Sequence, residues 1–196
     1  MQWHQIVGIL AGIISLVSGI PYVRDILKGT TKPNAVSWGG WFLLTLIATF
    51  AQFSSGASWS VILIITETIK VGIIFLLALK YGVQEYTKLD WVCLALGLLA
   101  VVLWKLTNQP VLAIVLAVIA DLIMAYPTFV KSFYEPYTET ASAFVIAAVA
   151  ALLSVVSTQI YDSANLIYPV YLILANTVLG TLIILGQKKP IHNKKK

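Results

Sequence analysis

The chain has 196 residues, of which 59% are hydrophobic and only 11% charged, and its mean hydropathy is +0.90. A soluble domain carries roughly a quarter charged residues. These proportions exclude a cytosolic enzyme, a nucleic-acid module and a disordered chain, and they leave an integral membrane protein. The net charge of +5 does not argue for nucleic acid, because five lysines sit in the terminal stretch KKPIHNKKK and most of the others in short breaks between apolar runs.

About 20 apolar residues cross a bilayer. Seven such runs follow one another, at 5–27, 35–54, 58–80, 89–106, 110–133, 141–160 and 165–187. The breaks between them include KGTTKPN, SSGA, YGVQEYTK, TNQ, EPYTE and YDSAN, none long enough for a soluble domain. Backbone groups in lipid must bond internally, so the runs are predicted to be helices. The alternating pattern of a membrane barrel is absent. The first run is preceded by MQWHQ, without Lys or Arg, and no small-residue cleavage site stands out. It is expected to stay in the mature protein rather than leave as a signal peptide.

Lys and Arg placement sets the topology. With the N-terminus outside, Arg24, Lys28, Lys32, Lys80, Lys88, Lys131, Lys188, Lys189, Lys194, Lys195 and Lys196 face the cytoplasm, Lys105 faces out, and Lys70 lies within a run. The expectation is a multi-pass protein of the plasma (inner) membrane with a cytoplasmic C-terminus. The basic tail would meet anionic lipid. The single Cys93 forms no internal disulfide, and no metal or catalytic cluster can be built around it.

Two stretches recur. SLVSGIPYVRDILKGTTKPNAVSW in run one aligns with DLIMAYPTFVKSFYEPYTETASAF in run five, placing Pro21 against Pro127. SVILIITETIK in run three aligns with PVYLILANTVL in run seven, placing Glu67 against Asn176 and Thr68 against Thr177. The first pairing has an offset of 106 and the second 109. Run four has no counterpart. The plan is three helices, a linker helix and three helices, so the copies share one orientation about an axis along the membrane normal. Residues 1–82 would form the first bundle, 83–108 the linker, 109–187 the second bundle and 188–196 the tail.

The two prolines, the loops behind them and the 3+1+3 plan resemble the SWEET and PQ-loop superfamily of small-solute transporters. The Pro-Gln pair of the narrower PQ-loop family is absent, since Tyr22 follows Pro21 and Thr128 follows Pro127. The resemblance implies two three-helix bundles facing one central cavity, with polar residues of the third helix in each bundle holding a solute. Sugars, amino acids and vitamins are all carried in the superfamily, and some relatives are receptors instead of carriers.

Ionisable groups inside spans are costly, and each is a functional candidate. Glu67 and Lys70 stand three apart on one face of run three, which suits an ion pair. Glu67 lies near the midplane with Asn176 at the same depth, and the resemblance implies that the two flank a solute; Asn176 also reads as an interhelical hydrogen-bonding contact. Pairing one titratable group with an amide permits a proton-coupled or cation-accepting site. Asp121 has three readings: a pair with Lys70, a proton carrier, or a protonated structural group. Pro21 and Pro127 break the helical hydrogen-bond ladder. They read either as hinges or as marks of helices near their ends, and the continuing turns RDILK and FVKSF favour a kink. Trp41, Tyr126 and Tyr171 are candidate cavity walls. Trp38, Trp41, Trp59 and Trp91 are all explained by interfacial belts as well, Tyr126 and Tyr171 also by helix contacts, and Gly19, Gly39 and Gly40 by close helix contact.

The expected function is a carrier that moves a small polar solute by alternating access at a midplane site. The alternative is a non-transporting receptor or a lipid scramblase of the same fold. No enzyme is expected: Asp121 is the only aspartate away from the end of a run, no His lies in one, and neither an H-E-x-x-H nor a P-loop occurs. No cofactor, metal or nucleic-acid partner is expected, and a homo-oligomer is left open.

Overall fold

The computed structural model describes residues 3–54, 60–83, 85–107, 110–159, 161 and 163–188. Every long element among them is a helix: α1 (Trp3–Leu27), α2 (Ala35–Ser54), α3 (Ser60–Tyr81), α4 (Lys88–Leu106), α5 (Pro110–Tyr134), α6 (Ala141–Ser157) and α7 (Ser163–Gln187). A single 3-10 turn at Pro136–Thr138 separates α5 from α6. Each expected apolar run corresponds to one helix. Trp59 and the basic stretch 189–196 lie outside the described residues.

Three described helical stretches are long and apolar enough to cross a bilayer: Trp3–Leu27, Ile114–Tyr134 and Leu166–Gln187. Shorter apolar stretches occur at Ala35–Thr49 and Ala141–Ser157. The outer surface is itself apolar, with Leu106 72%, Leu76 66% and Ile20 64% exposed. An apolar surface of this kind is a liability in water and suits burial in lipid.

Local chemistry explains where the helices begin and end. Gly29 has φ 75°, and the Thr30 amide donates to the Asp25 carbonyl at 3.0 Å while the Gly29 amide donates to that of Ile26 at 2.9 Å. This pair of bonds closes α1 with glycine in the left-handed position that other residues disfavour. Asn34 caps α2, its Oδ1 accepting from the amides of Val36 and Ser37 at 2.9 and 3.3 Å. Thr87 and Asp90 form a reciprocal capping box on α4, with the Thr87 amide donating to Asp90 Oδ2 at 2.6 Å and the Asp90 amide to Thr87 Oγ1 at 3.3 Å. The two caps are joined, since Asn34 Nδ2 donates to Asp90 Oδ1 at 2.7 Å.

The helices close into a ring. α1 packs on α3 and α6, α2 on α3 and α5, and α7 on α5 and α6. The order around the ring is therefore α1, α3, α2, α5, α7, α6. α4 lies outside it, against α5 and α2. The glycines read as contact points do allow close approach. A Cβ at Gly39 would lie 2.8 Å from the Phe75 ring, and one at Gly72 equally close to Phe42, so α2 and α3 exchange phenyl rings over each other's backbone. Met124 of α5, fully buried, fills the space a side chain would need at Gly40 and Gly97, which locks α5 to α2 and α4.

One end of the ring is knit by loop contacts, and we call it the base. The Lys32 amide donates to the Thr138 carbonyl at 3.0 Å, and the Val83 amide to that of Pro33 at 3.1 Å. Gln187 Nε2 donates to the carbonyls of Pro136 and Glu139 at 2.9 and 3.1 Å. Thr31 and Thr140 share a 2.6 Å hydroxyl contact. Lys131 of α5 pairs with Glu139 at 2.6 Å, with side-chain exposures of 8% and 0%. The other Glu139 oxygen accepts from the Tyr22 hydroxyl of α1 at 2.7 Å.

Removing one member of a buried ion pair strands the other charge, at a cost of about 3 to 5 kcal/mol. Lys131→Met is expected to lower the thermal midpoint accordingly, and the double variant Lys131→Met/Glu139→Gln to recover part of the loss. Thermal unfolding in detergent checks both; a double variant no better than the single one would show that the pair is not coupled.

Candidate functional site

At the centre of the ring is a cavity of about 390 Å³, within the range of small-molecule sites. Six helices contribute to its wall, and α4 provides none of the described lining residues. Two polar clusters face it.

The first joins α3 to α1. Lys70 Nζ lies 2.9 and 2.8 Å from the two Glu67 oxygens. It also donates to Ser15 Oγ at 3.2 Å and Ser18 Oγ at 3.3 Å. The spacing of three on a helix brings the two charges together. Gly19 makes the reach to α1 possible, because a Cβ there would lie 2.7 Å from Lys70 Cγ. The lysine stem lies flat on the α1 backbone while its charge is shared among three side chains.

The second cluster is centred on Asp121 of α5, which is buried. Trp41 Nε1 of α2 donates to Oδ1 at 2.9 Å. Tyr171 of α7 donates to the same oxygen at 3.0 Å and Tyr168 to Oδ2 at 2.8 Å. Asp121 does not pair with Lys70: the lysine is engaged by Glu67 in its own helix, and aromatic donors from two other helices surround the aspartate.

The floor of the cavity is aromatic. Tyr22 lies against Trp38 at 4.8 Å and against Phe144 edge-on at 6.0 Å between ring centres. Trp38 Nε1 donates to the Tyr22 hydroxyl at 3.2 Å, which in turn donates to Glu139. Below these rings Ile26 and Ile183 are buried in the same core, so the cavity is closed towards the base. The α6 wall is mostly methyl groups, from Ala143, Ala147, Ala150 and Ala151, with Phe144 and the hydroxyl-bearing Ser154 beside them.

Glu67, Lys70, Asp121, Asn176, Trp41 and Tyr171 all line this one cavity. Asn176 Nδ2 is turned back to the Leu172 carbonyl at 2.8 Å. Tyr126 is not at the site: it is 49% exposed on the outer surface of α5. Asp121 and Ala125 face inward, and the residue after Ala125 is turned by roughly 100° about the helix axis. Trp38 is also misplaced by the belt reading, being 6% exposed in the core, whereas Trp91 at 60% fits it. Pro21 and Pro127 sit inside helices that run on past them, so neither marks a helix end. Sequence reasoning missed Tyr168, the residue just before the aligned stretch that begins at Pro169, and Glu139, the last residue of the break EPYTE. Pro169, inside α7 and on the cavity wall, also went unread. Among the described residues no group of three or more His, Cys, Asp or Glu gathers that could hold a metal.

Comparison with protein-family models, curated proteins and solved structures finds no match to the chain.

Overpacking a tight contact costs about 1 to 3 kcal/mol. Gly19→Ala is expected to fall in that range, by driving the Lys70 stem off α1. Combined with Lys70→Ala it should cost clearly less than the sum of the single variants in a double-mutant cycle read by thermal unfolding. Strict additivity would show that the lysine does not rest on this glycine.

Proposed function

We propose that the protein is a membrane carrier for a small polar solute, working by alternating access at the cavity between two three-helix bundles. The observation that carries this reading is the cavity itself, walled by six helices, with a carboxylate pair member, a lysine, a second carboxylate and an amide on its surface. Intramembrane ionisable groups of this kind mark solute and ion pathways. A groove open to lipid would favour a scramblase; a central chamber favours a carrier.

The seven helices are read as seven spans, and the 3+1+3 repeat has support in the packing. Exchanging α1, α2 and α3 for α5, α6 and α7 maps the neighbours in the ring onto one another: α1·α3 onto α5·α7, α2·α3 onto α6·α7, and α1·α6 onto α5·α2. Matching positions recur at nearly one separation. Trp38 and Phe144, 106 apart, both close the floor. Ile74 and Leu179, and likewise Ala78 and Ile183, are buried 105 apart. Val71 and Asn176 line the cavity at the same separation. On this register Asn176 answers Val71, and the offset of 109 that places it against Glu67 is four residues, about one helical turn, too long. A slip of one turn leaves a residue on the same face, so apolar letters alone do not expose it.

With the base read as cytoplasmic from its basic residues, the cavity is shut on that side. Opening it requires Tyr22, Trp38 and Phe144 to part and the contact between Glu139 and Tyr22 to break. Pro21 lies one residue before Tyr22, and Pro127 holds the corresponding place in α5. A missing backbone bond at each lets the helix ends move relative to their upper turns.

Reconstitution into lipid vesicles tests the reading. Wild type is expected to give saturable uptake of a labelled polar solute. Pro21→Ala and Pro127→Ala are expected to slow uptake severalfold while leaving equilibrium binding within about twofold, since hinges change rates of exposure more than affinity. Transbilayer movement of labelled lipid without solute uptake would replace the carrier with the scramblase.

A further inference from the structure

We propose that the cavity selects a small organic cation: a protonated amine whose ammonium group rests on Asp121 and whose hydrocarbon body lies against the alanine wall of α6. The inference rests on the reading of the cavity as the solute site and names the class of solute.

The charge balance leads to it. Among the described lining residues the charged ones are Glu67, Lys70 and Asp121. Glu67 and Lys70 neutralise each other through a two-oxygen contact. Asp121 is left with neutral donors only, one indole and two phenols. An ionised carboxylate, which only accepts, fits such a set of donors. Dipoles satisfy its oxygens without cancelling its charge, and an unbalanced buried charge is costly.

The geometry leaves a place for the missing positive charge. A carboxylate offers about four acceptor positions. Oδ1 uses two, for Trp41 and Tyr171, and Oδ2 uses one, for Tyr168. The position that remains is on Oδ2, and Asp121 lines the cavity. Trp41, Tyr168 and Tyr171 line it as well, and aromatic rings attract cations. A neutral sugar brings hydroxyls but no charge. Ala143, Ala147, Ala150 and Ala151 offer it few hydrogen-bond partners, while they suit a carbon skeleton.

The test is titration calorimetry on the full chain in detergent with benzylamine, its neutral isostere benzyl alcohol, and glucose, together with vesicle uptake of labelled benzylamine and glucose. Benzylamine is expected to bind at least about tenfold more tightly than the alcohol or the sugar, the order expected for a charge paired in a poorly solvated site. Asp121→Asn should weaken benzylamine by a similar factor and leave benzyl alcohol unchanged. Should that variant fail to fold, the ratio of amine to alcohol in wild type decides alone. Equal binding of amine and alcohol overturns the inference, as does competition by sodium ions as potent as the amine. Glucose uptake without benzylamine binding overturns it and leaves the carrier standing. Benzylamine binding without uptake of either compound keeps the cation site and defeats the carrier. No binding of any compound removes the amine site.

Discussion

A charge drawn inside this ring must be matched by close partners, most of them on other helices, and that requirement ties the architecture together. A carboxylate or ammonium removed from water loses solvation that only close, well-directed partners restore. Glu139, at the entry to α6, finds Lys131 of α5 and Tyr22 of α1, and Tyr22 brings in Trp38 of α2. Lys70 of α3 finds Ser15 and Ser18 of α1. Asp121 of α5 finds Trp41 of α2 and two tyrosines of α7. Five of the six ring helices enter these three clusters, and Glu139 lies two residues before the sixth, α6. Apolar packing alone would tolerate sliding by a turn; the polar contacts do not, because hydrogen bonds weaken steeply with distance and misalignment.

The clusters differ in what surrounds them, and the difference separates structure from function. Glu139 and Lys131 lie below the aromatic floor, fully engaged and shut away. Glu67, Lys70 and Asp121 lie above it on a cavity wall. The floor couples the two levels, since Tyr22 hydrogen-bonds downward to Glu139 while packing on Trp38 and Phe144. A movement that opened the base would therefore disturb a buried carboxylate and the cavity floor together. α4 takes no part, and its capping box and the Asn34–Asp90 contact fasten it to the start of α2 from outside.

Much of this was legible beforehand for simple reasons. Seven apolar runs separated by polar breaks read as seven helices, since a helix bonds its backbone within the segment, and their bounds agree with the observed helices to within a few residues. A glutamate and a lysine three apart in an apolar run have little alternative to each other. Trp41 and Tyr171 were readable as cavity walls because an aromatic with a polar edge suits a half-buried position. Tyr126 was chosen on the same ground and failed: chemistry alone does not say which way a helix is turned, and α5 is apolar on both faces. Trp38 failed for the same reason in the opposite direction.

The sequence alone determined the class of element, the number of helices and the pairing of near neighbours such as Glu67 with Lys70, because these depend on residues within a few positions of each other. Only the tertiary structure decided that Asp121 is held by Trp41, 80 positions away, and by Tyr168 and Tyr171, 47 and 50 away, or that Glu139 reaches Tyr22 across 117. In a chain where nearly every helix is apolar on all sides, periodicity no longer distinguishes the inward face from the outward one. The orientation of each helix, and with it the site, is then set by which distant polar groups can meet.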